Sequence, residues 1–296
     1  MRILLTGSTG QVGWELQRSL MTLGEVICVG REATSVSLQM DLSVPETIRA
    51  VIREVKPNLI VNPAAYTAVD KAEAEPELAM AVNGVAPGVI AEEAKLLDAP
   101  VIHYSTDYVF NGTQATPYTE QDIPDPQNVY GKTKLAGEKA IQAVGVPYLI
   151  LRTSWVYGLR GKNFLLTMLK ISREREELKV VDDQIGAPTW SRMIAEATTH
   201  IISGTRELVR DYSGVYHLTA TNQTSWHGFA KTIFELDPNS SQQKLKQLLA
   251  IPSTEYPTPA KRPAYSSLDT SKISSTFQLA LPGWRESLAL VLDSKC

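Results

Sequence analysis

Cysteine is nearly missing: Cys28 and Cys296 are the only two in 296 residues. One sits in an apolar run and the other ends the chain, so no disulfide framework is available and a reducing compartment is the expected setting. Basic residues are not in excess either. Lys plus Arg number 29 against 32 Asp plus Glu, a formal net charge of −3, which argues against nucleic acid or an anionic membrane as the main partner. No apolar stretch approaches the roughly 18 residues of a membrane span. The apolar start Met1-Arg2-Ile3-Leu4-Leu5 is too short for a signal segment and runs straight into glycines. The expectation is a soluble, cytoplasmic protein.

What is present is ordinary in amount and ordered in arrangement. With 43% hydrophobic and 21% charged residues, 18 Gly and 17 Pro, disorder, collagen and coiled coil are poor readings. The length suggests one large domain or two intimate ones, enough for a core without staples. No repeat or low-complexity tract stands out.

Short apolar runs alternate with amphipathic stretches through the first half. Strands are expected at Ile3–Leu5, Val26–Val29, Leu59–Val61, Val101–Tyr104 and Tyr148–Leu151. Helices are expected at Gln11–Leu23, Pro45–Val55, Glu77–Leu97 (bent or restarted at Pro87) and about Val129–Val144. Continuous apolar strands between helices predict an α/β fold, a Rossmann-type doubly wound parallel sheet. The expected division is a dinucleotide-binding domain over 1–150 and a smaller, mainly substrate-binding C-terminal region over 151–296, with about 163–190 returning to the first. The second half reads less regularly. Helices are expected at Asn163–Glu176, Ser191–Ser203 and Trp284–Asp293, and strands at Leu178–Val181 and Gly214–Leu218. Pro252, Pro257, Pro259 and Pro263 mark an extended stretch.

Gly7-Ser8-Thr9-Gly10-Gln11-Val12-Gly13 joins the first strand to the first helix. Gly7 permits a tight turn, Gly10 a close backbone approach to a pyrophosphate, and Gly13 close packing of helix on strand. Phosphates would sit at the helix N-terminus, where free N–H groups and the dipole favour anions. Strand before and helix after raise this reading above a purely structural turn. At the end of the second strand, Gly30-Arg31-Glu32 bears on the cofactor: Arg31 suits the 2′-phosphate of NADPH, while Glu32 keeps NADH open. Asp41-Leu42 is placed to flank the adenine.

Tyr130 and Lys134 form a Y-x-x-x-K pair on the helix after the strand Val101–Tyr104. Residues four apart share a helix face. A tyrosine with a pKa of about 10 is a poor acid–base group at neutral pH. A nearby ammonium would lower that value and let the phenol protonate a carbonyl oxygen while hydride reaches carbon. Such pairs also arise by chance, but ligands gather at the carboxyl ends of parallel strands, and Thr106 stands at that end, placed to bond the same oxygen.

The glycine turn, Thr106, Tyr130 and Lys134 together resemble the extended short-chain dehydrogenase/reductase superfamily. Further segments narrow this. Val61-Asn62-Pro63-Ala64-Ala65-Tyr66-Thr67 through Glu73, Ser105-Thr106-Asp107-Tyr108-Val109-Phe110, Arg152 to Tyr157, Asp183 to Thr189, Arg262-Pro263 and Leu268-Asp269 resemble the dTDP-4-dehydrorhamnose reductase family over nearly the whole chain. The resemblance implies NADPH- or NADH-dependent reduction of the C4 ketone of a dTDP-sugar, dTDP-4-dehydro-L-rhamnose. Gly10, Gln11 and Val12 would line the pyrophosphate. Ala65, Tyr66 and Thr67 would line the cofactor ribose and nicotinamide side, with Tyr104 nearby. Tyr130 would donate the proton, and Lys134 would bind the nicotinamide ribose and tune it. Thr106, Asp107, Trp155 and Val69 would contact the sugar nucleotide. Two other readings of the superfamily are a non-catalytic NADP-binding regulatory subunit and a sugar-nucleotide epimerase or dehydratase. The intact Thr106, Tyr130 and Lys134 argue against the regulatory subunit.

Some relatives dimerise through a magnesium ion held by glutamates. Glu15 matches one of these, but Arg192 and Ser294 stand where others would fall, with Asp293 adjacent to Ser294. An arginine beside a metal is unfavourable, so the expectation is no metal site and a monomer or weak homodimer.

Overall fold

The computed structural model describes residues 1–33, 37–204 and 206–293. Ser294 and Cys296 lie outside the described residues. The chain builds a central sheet from β1 (Arg2–Thr6), β2 (Glu25–Gly30), β3 (Ser37–Gln39), β4 (Leu59–Asn62), β5 (Val101–Thr106), β6 (Tyr148–Thr153) and a seventh strand, Gly214–His217. All pairs are parallel, and the spatial order is Gly214–His217, β6, β5, β4, β1, β2, β3. This is the doubly wound α/β sheet that the alternating runs predict. β3 escapes a reading by apolar runs because it is three residues long and only partly apolar, yet it pairs Ser37 with Cys28.

Helices cover both faces because each carries one apolar stripe. On one face α1 (Gln11–Leu20) and α8 (Ser191–Gly204) bury Leu16, Leu20, Ile194 and Ile201 against Ile3, Leu5 and Ile102. On the other, α2 (Pro45–Val55) and α5 (Ala86–Leu96) bury Ile48, Ile52, Ile90 and Ala94 against Leu4, Ile60 and Ile150. Alternate strand residues thus serve opposite cores. Truncating any of these leucines or isoleucines to alanine should cost about 2–5 kcal/mol. The expected helix over 77–97 is in fact three pieces: α4 (Pro76–Met80), a π-helical turn at Ala81–Val85, and α5. Pro87 sits in the first turn of α5, where its missing N–H costs least. The π turn re-aims Asn83, whose side chain both accepts from Tyr66 N (2.8 Å) and donates to Tyr66 O (3.0 Å). α3 (Val69–Ala72) lies between β4 and α4, and α6 (Val129–Val144) runs from an Asn128 cap to Gly145.

A third core lies outside the sheet. Tyr157, Leu165 of α7 (Phe164–Ser172), Phe229, Trp284 and Leu288 pack together, beside a parallel pair formed by Glu177–Val181 and Gln247–Ile251. The helix Trp226–Glu235 and the strand Gln247–Ile251 belong to this layer and were not expected from the sequence.

Candidate active site

All seven central strands run the same way, so Thr6, Gly30, Asn62, Thr106 and Thr153 line one edge of the sheet. Along that edge opens a cleft of about 560 Å³. The glycine turn forms its floor. Gly7 has φ +58°, and a Cβ there would meet Ala64 Cα at 2.9 Å. A Cβ on Gly13 would fall on the carbonyl oxygen of Gly7. Both positions therefore exclude side chains, and α1 begins against the turn with its first N–H groups free for an anion. Gly7, Gly10, Gln11, Val12 and Gly13 all line the cleft, as do Arg31, Asp41, Leu42, Ala65, Thr67, Tyr104, Tyr130 and Lys134.

Several details differ from the sequence expectation. Tyr66 is not on the cleft wall, and its hydroxyl donates to Glu75 at 2.6 Å. Asp41 lines the cleft, but its carboxylate accepts from Ser43 N (2.8 Å) and Ser43 Oγ (2.7 Å), which holds it below the usual carboxylate range. Its side chain mainly ties the approach to α2. Sequence reading also missed Gly161 and Lys162, which line the cleft from the segment after β6. That segment is tied across the glycine turn by Asn163 Nδ2 donating to Gln11 Oε1 at 2.9 Å. A Gly-Lys pair before an Asn-capped helix is a signal that could have been noticed.

At the carboxyl end of β5, Thr106, Tyr130 and Lys134 meet. Asn128 accepts from Gly131 N (2.7 Å), which starts α6 so that Tyr130 and Lys134 face the strand. Thr106 Oγ1 donates to Asp107 Oδ1 (2.9 Å) and shares a hydrogen bond with the Tyr130 hydroxyl. Lys134 is buried and donates to the Tyr104 carbonyl at 2.5 Å, with its Nζ 3.2 Å from His103 Nε2. The expected lowering of the Tyr130 pKa by Lys134 is not what governs the phenol here. Burial pushes Tyr130 up, and the Thr106 bond opposes the rise. Burial likewise lowers Lys134 to about 8, opposed by Glu138 one turn along α6.

Asp107 is also buried, and burial raises its carboxyl to about 6. Ser266 lies close enough to favour the ionised form, yet no hydrogen bond of normal geometry reaches Oδ2. None of the four residues expected at the sugar nucleotide, Thr106, Asp107, Trp155 and Val69, lies on the cleft wall. Trp155 stacks on Trp226, and Val69 opens α3 beside Asp70, which pairs with Arg262 at 2.8 Å. This ion pair fastens the proline-rich stretch to α3.

Glu15 faces Arg18, Arg192 and Glu196 across α1 and α8, and Arg192 donates to Glu196 at 2.8 Å. Among the described residues no group of three His, Cys, Asp or Glu side chains gathers to hold a metal ion. Nor, among them, is any helix long and apolar enough to cross a membrane.

Fold and site define a dinucleotide-binding α/β protein of the extended short-chain dehydrogenase/reductase type. A family model described as the RmlD substrate binding domain matches residues 1–296. The chain is 46% identical to a dTDP-4-dehydrorhamnose reductase of Burkholderia thailandensis, across 98% of this chain and 97% of that one. Among solved structures, it resembles a dTDP-4-dehydrorhamnose reductase of Clostridium acetobutylicum at 36% identity and TM-score 0.90, covering 100% and 99% of the two chains. A Bacillus anthracis dTDP-4-dehydrorhamnose reductase in complex with NADP matches at 33% identity and TM-score 0.88, covering 99% of each. The chain belongs to the dTDP-4-dehydrorhamnose reductase family.

Proposed function

We propose that this protein reduces the C4 ketone of dTDP-4-dehydro-L-rhamnose to the alcohol, giving dTDP-L-rhamnose, with NADPH as the preferred reductant. The observation that carries this is that Tyr130 and Lys134 line the cleft floored by the glycine turn, with Thr106 hydrogen-bonded to Tyr130 behind them. The side-chain-free cradle at Gly7 and Gly13 fits a pyrophosphate, and Arg31 at the far end fits a 2′-phosphate. When bound, the cofactor supplies hydride to C4.

The chain's own residues do the rest. Tyr130 gives its phenolic proton to the C4 oxygen as the carbon is reduced, so the ketone gains one hydride and one proton. Thr106 orients that oxygen through the hydroxyl it already shares with Tyr130. Lys134 holds the ribose side of the cofactor and stabilises the phenolate that Tyr130 leaves. Asp107, Trp155 and Val69 take the sugar nucleotide on the side away from the glycine turn. The relatives named dTDP-4-dehydrorhamnose reductase, and the NADP bound by one of them, support both substrate and cofactor.

The test is a spectrophotometric assay of NADPH and NADH oxidation with the dTDP-ketosugar and its UDP analogue. One oxidised cofactor released per sugar reduced is expected. Retention of the cofactor with no net oxidation would instead identify an epimerase or dehydratase.

A further inference from the structure

From Lys134 a chain of polar side chains crosses three strands within the buried sheet. Ala64 N donates to Thr6 Oγ1 (3.1 Å), and Thr6 Oγ1 donates to Asn62 Oδ1 (2.7 Å). Asn62 Nδ2 lies 3.0 Å from His103 Nδ1, and His103 Nε2 lies 3.2 Å from Lys134 Nζ. Thr6, Asn62, His103 and Lys134 are all buried. Polar groups in a low-dielectric interior cost free energy unless paired, so such a row persists only when each member is satisfied. Here it runs from the glycine turn to the lysine of the proposed acid–base pair.

We propose that His103 is the positioning residue for Lys134: its neutral imidazole holds the lysine nitrogen through Nε2, while Thr6 and Asn62 hold Nδ1. This rests on Tyr130 and Lys134 being the working pair of the reduction. The ring has two self-consistent hydrogen patterns. With Asn62 Nδ2 facing Nδ1, as placed, Nδ1 accepts and Nε2 carries the hydrogen. That hydrogen points at Nζ, and only a neutral amine has a lone pair to receive it. When Lys134 is an ammonium, Nε2 must accept, Nδ1 carries the hydrogen, and Asn62 turns its amide oxygen to it. Thr6 serves either end of the amide, since its hydroxyl both donates and accepts. His103 therefore changes tautomer in step with Lys134.

The other groups around Nζ leave this role to His103. Along α6 they are Tyr130, whose hydroxyl is on Thr106, and Glu138, which is bound to Arg152 of β6 (2.7 Å) and to Ser105 of β5. From β5 itself come His103 and the Tyr104 carbonyl, and the Tyr104 hydroxyl is on Thr198 at 2.7 Å. β4 offers only the Asn62 amide. Burial and the Lys134 charge keep His103 well below its usual range, so the ring stays neutral while Lys134 titrates near 8.

The experiment is a long-range proton–nitrogen correlation on the full chain labelled with 15N-histidine, which has only four histidines to resolve. It runs from about pH 6 to about pH 10, the range that spans the titration of a lysine lowered by burial. The His103 signals should pass from protonated Nδ1 to protonated Nε2 near pH 8, and Lys134→Met should abolish that change. A ring that keeps one tautomer throughout, or that becomes imidazolium above about pH 6, overturns the proposal.

Kinetics supply a second arm. His103→Phe keeps a ring but loses the acceptor for the ammonium, so the alkaline limb of the kcat profile should move down by about one pH unit. His103→Gln, whose terminal amide accepts at the same reach, should return it. A purely structural role would lower stability without moving the limb. If the parent enzyme fails to reduce the ketosugar, the proposed function falls while the tautomer titration still decides the coupling of His103 to Lys134.

Discussion

Trp155 and Trp226 lie face to face, with ring centroids 3.5 Å apart and planes within 3° of parallel. Trp155 holds φ +45°, a conformation that costs a non-glycine residue about 1–3 kcal/mol and persists only where its surroundings impose it. The stack is one such constraint. Gly186 is another, because a Cβ there would run into the indole of Trp155. Trp226 is in turn fixed as the first residue of its helix, where Ser225 accepts from Gly228 N at 2.9 Å. One indole face of Trp155 is thus already covered, so under the proposed function a sugar nucleotide would have to meet its edge or its other face. Trp226→Leu should lower stability by about 1 kcal/mol through the lost aromatic pair. It should also raise KM for the ketosugar while leaving KM for NADPH near the parent value. Urea unfolding and steady-state kinetics read the two effects separately.

The sheet was legible because its strands are short apolar runs and its helices carry clear stripes. Helix α6 falls at the boundaries the sequence suggests, since Asn128 caps it and Gly145, at φ +70°, ends it. The glycine turn was legible for the same reason that it works, namely that no other residue fits at Gly7 or Gly13. What stayed hidden depends on contacts made at long range. Gln247–Ile251 is a strand only because Glu177–Val181 runs beside it. Lys162 reaches the cleft only because Asn163 is tied to Gln11, 152 positions away. His103 looked like one more residue of a buried strand, and nothing near it in sequence marks Asn62 as its partner. The tuning of Tyr130 was misjudged on similar grounds. Helical spacing shows which residues share a face, but not that burial outweighs the neighbouring charge.

Arg31 offers a direct reading of cofactor choice. It lines the cleft at the end of β2, close enough to Asp41 for its charge to help lower that carboxyl. A guanidinium there favours a 2′-phosphate over a 2′-hydroxyl. Arg31→Ala should weaken NADPH by roughly tenfold or more, the worth of one charge-assisted bond, and should barely affect NADH. Titrations of both cofactors by nicotinamide fluorescence check this. Equal small losses would remove Arg31 as the discriminator.

Asp107 gives the fold a pH dependence of known sign. Burial raises its carboxyl to about 6, against roughly 3.9 when unfolded. Between those values the folded protein holds a proton that the unfolded chain has released. This contribution to stability is therefore lost as pH rises through the window, and the loss, on the order of 3 kcal/mol, persists above it. Asp107→Asn keeps an acceptor for Thr106 and has no charge to bury. Urea unfolding should find the variant more stable than the parent above about pH 6, with the gap closing toward about pH 3.

Tyr130 tests the chemistry itself. Tyr130→Phe removes one hydroxyl and keeps a ring of nearly equal volume, so the edge contact with Tyr108 (centroids 5.8 Å apart) and the fold should survive. General acid–base groups contribute about 10²–10⁴-fold, and kcat should fall within that range. NADPH affinity should change little, because the glycine turn and Arg31 lie elsewhere in the cleft. Lys134→Met should behave differently. It removes a group assigned both to the cofactor ribose and to the phenolate, so kcat should fall and NADPH binding should weaken together. The buried Tyr104 carbonyl would also lose its donor, which adds a stability cost of about 1–3 kcal/mol. Single-turnover rates, cofactor titrations and urea unfolding on the two variants separate these effects. A Tyr130→Phe enzyme with kcat near the parent value would remove Tyr130 as the proton donor and leave Thr106 as a strand-end cap, bonded to Asp107 Oδ1 and accepting from Tyr108 N at 3.2 Å.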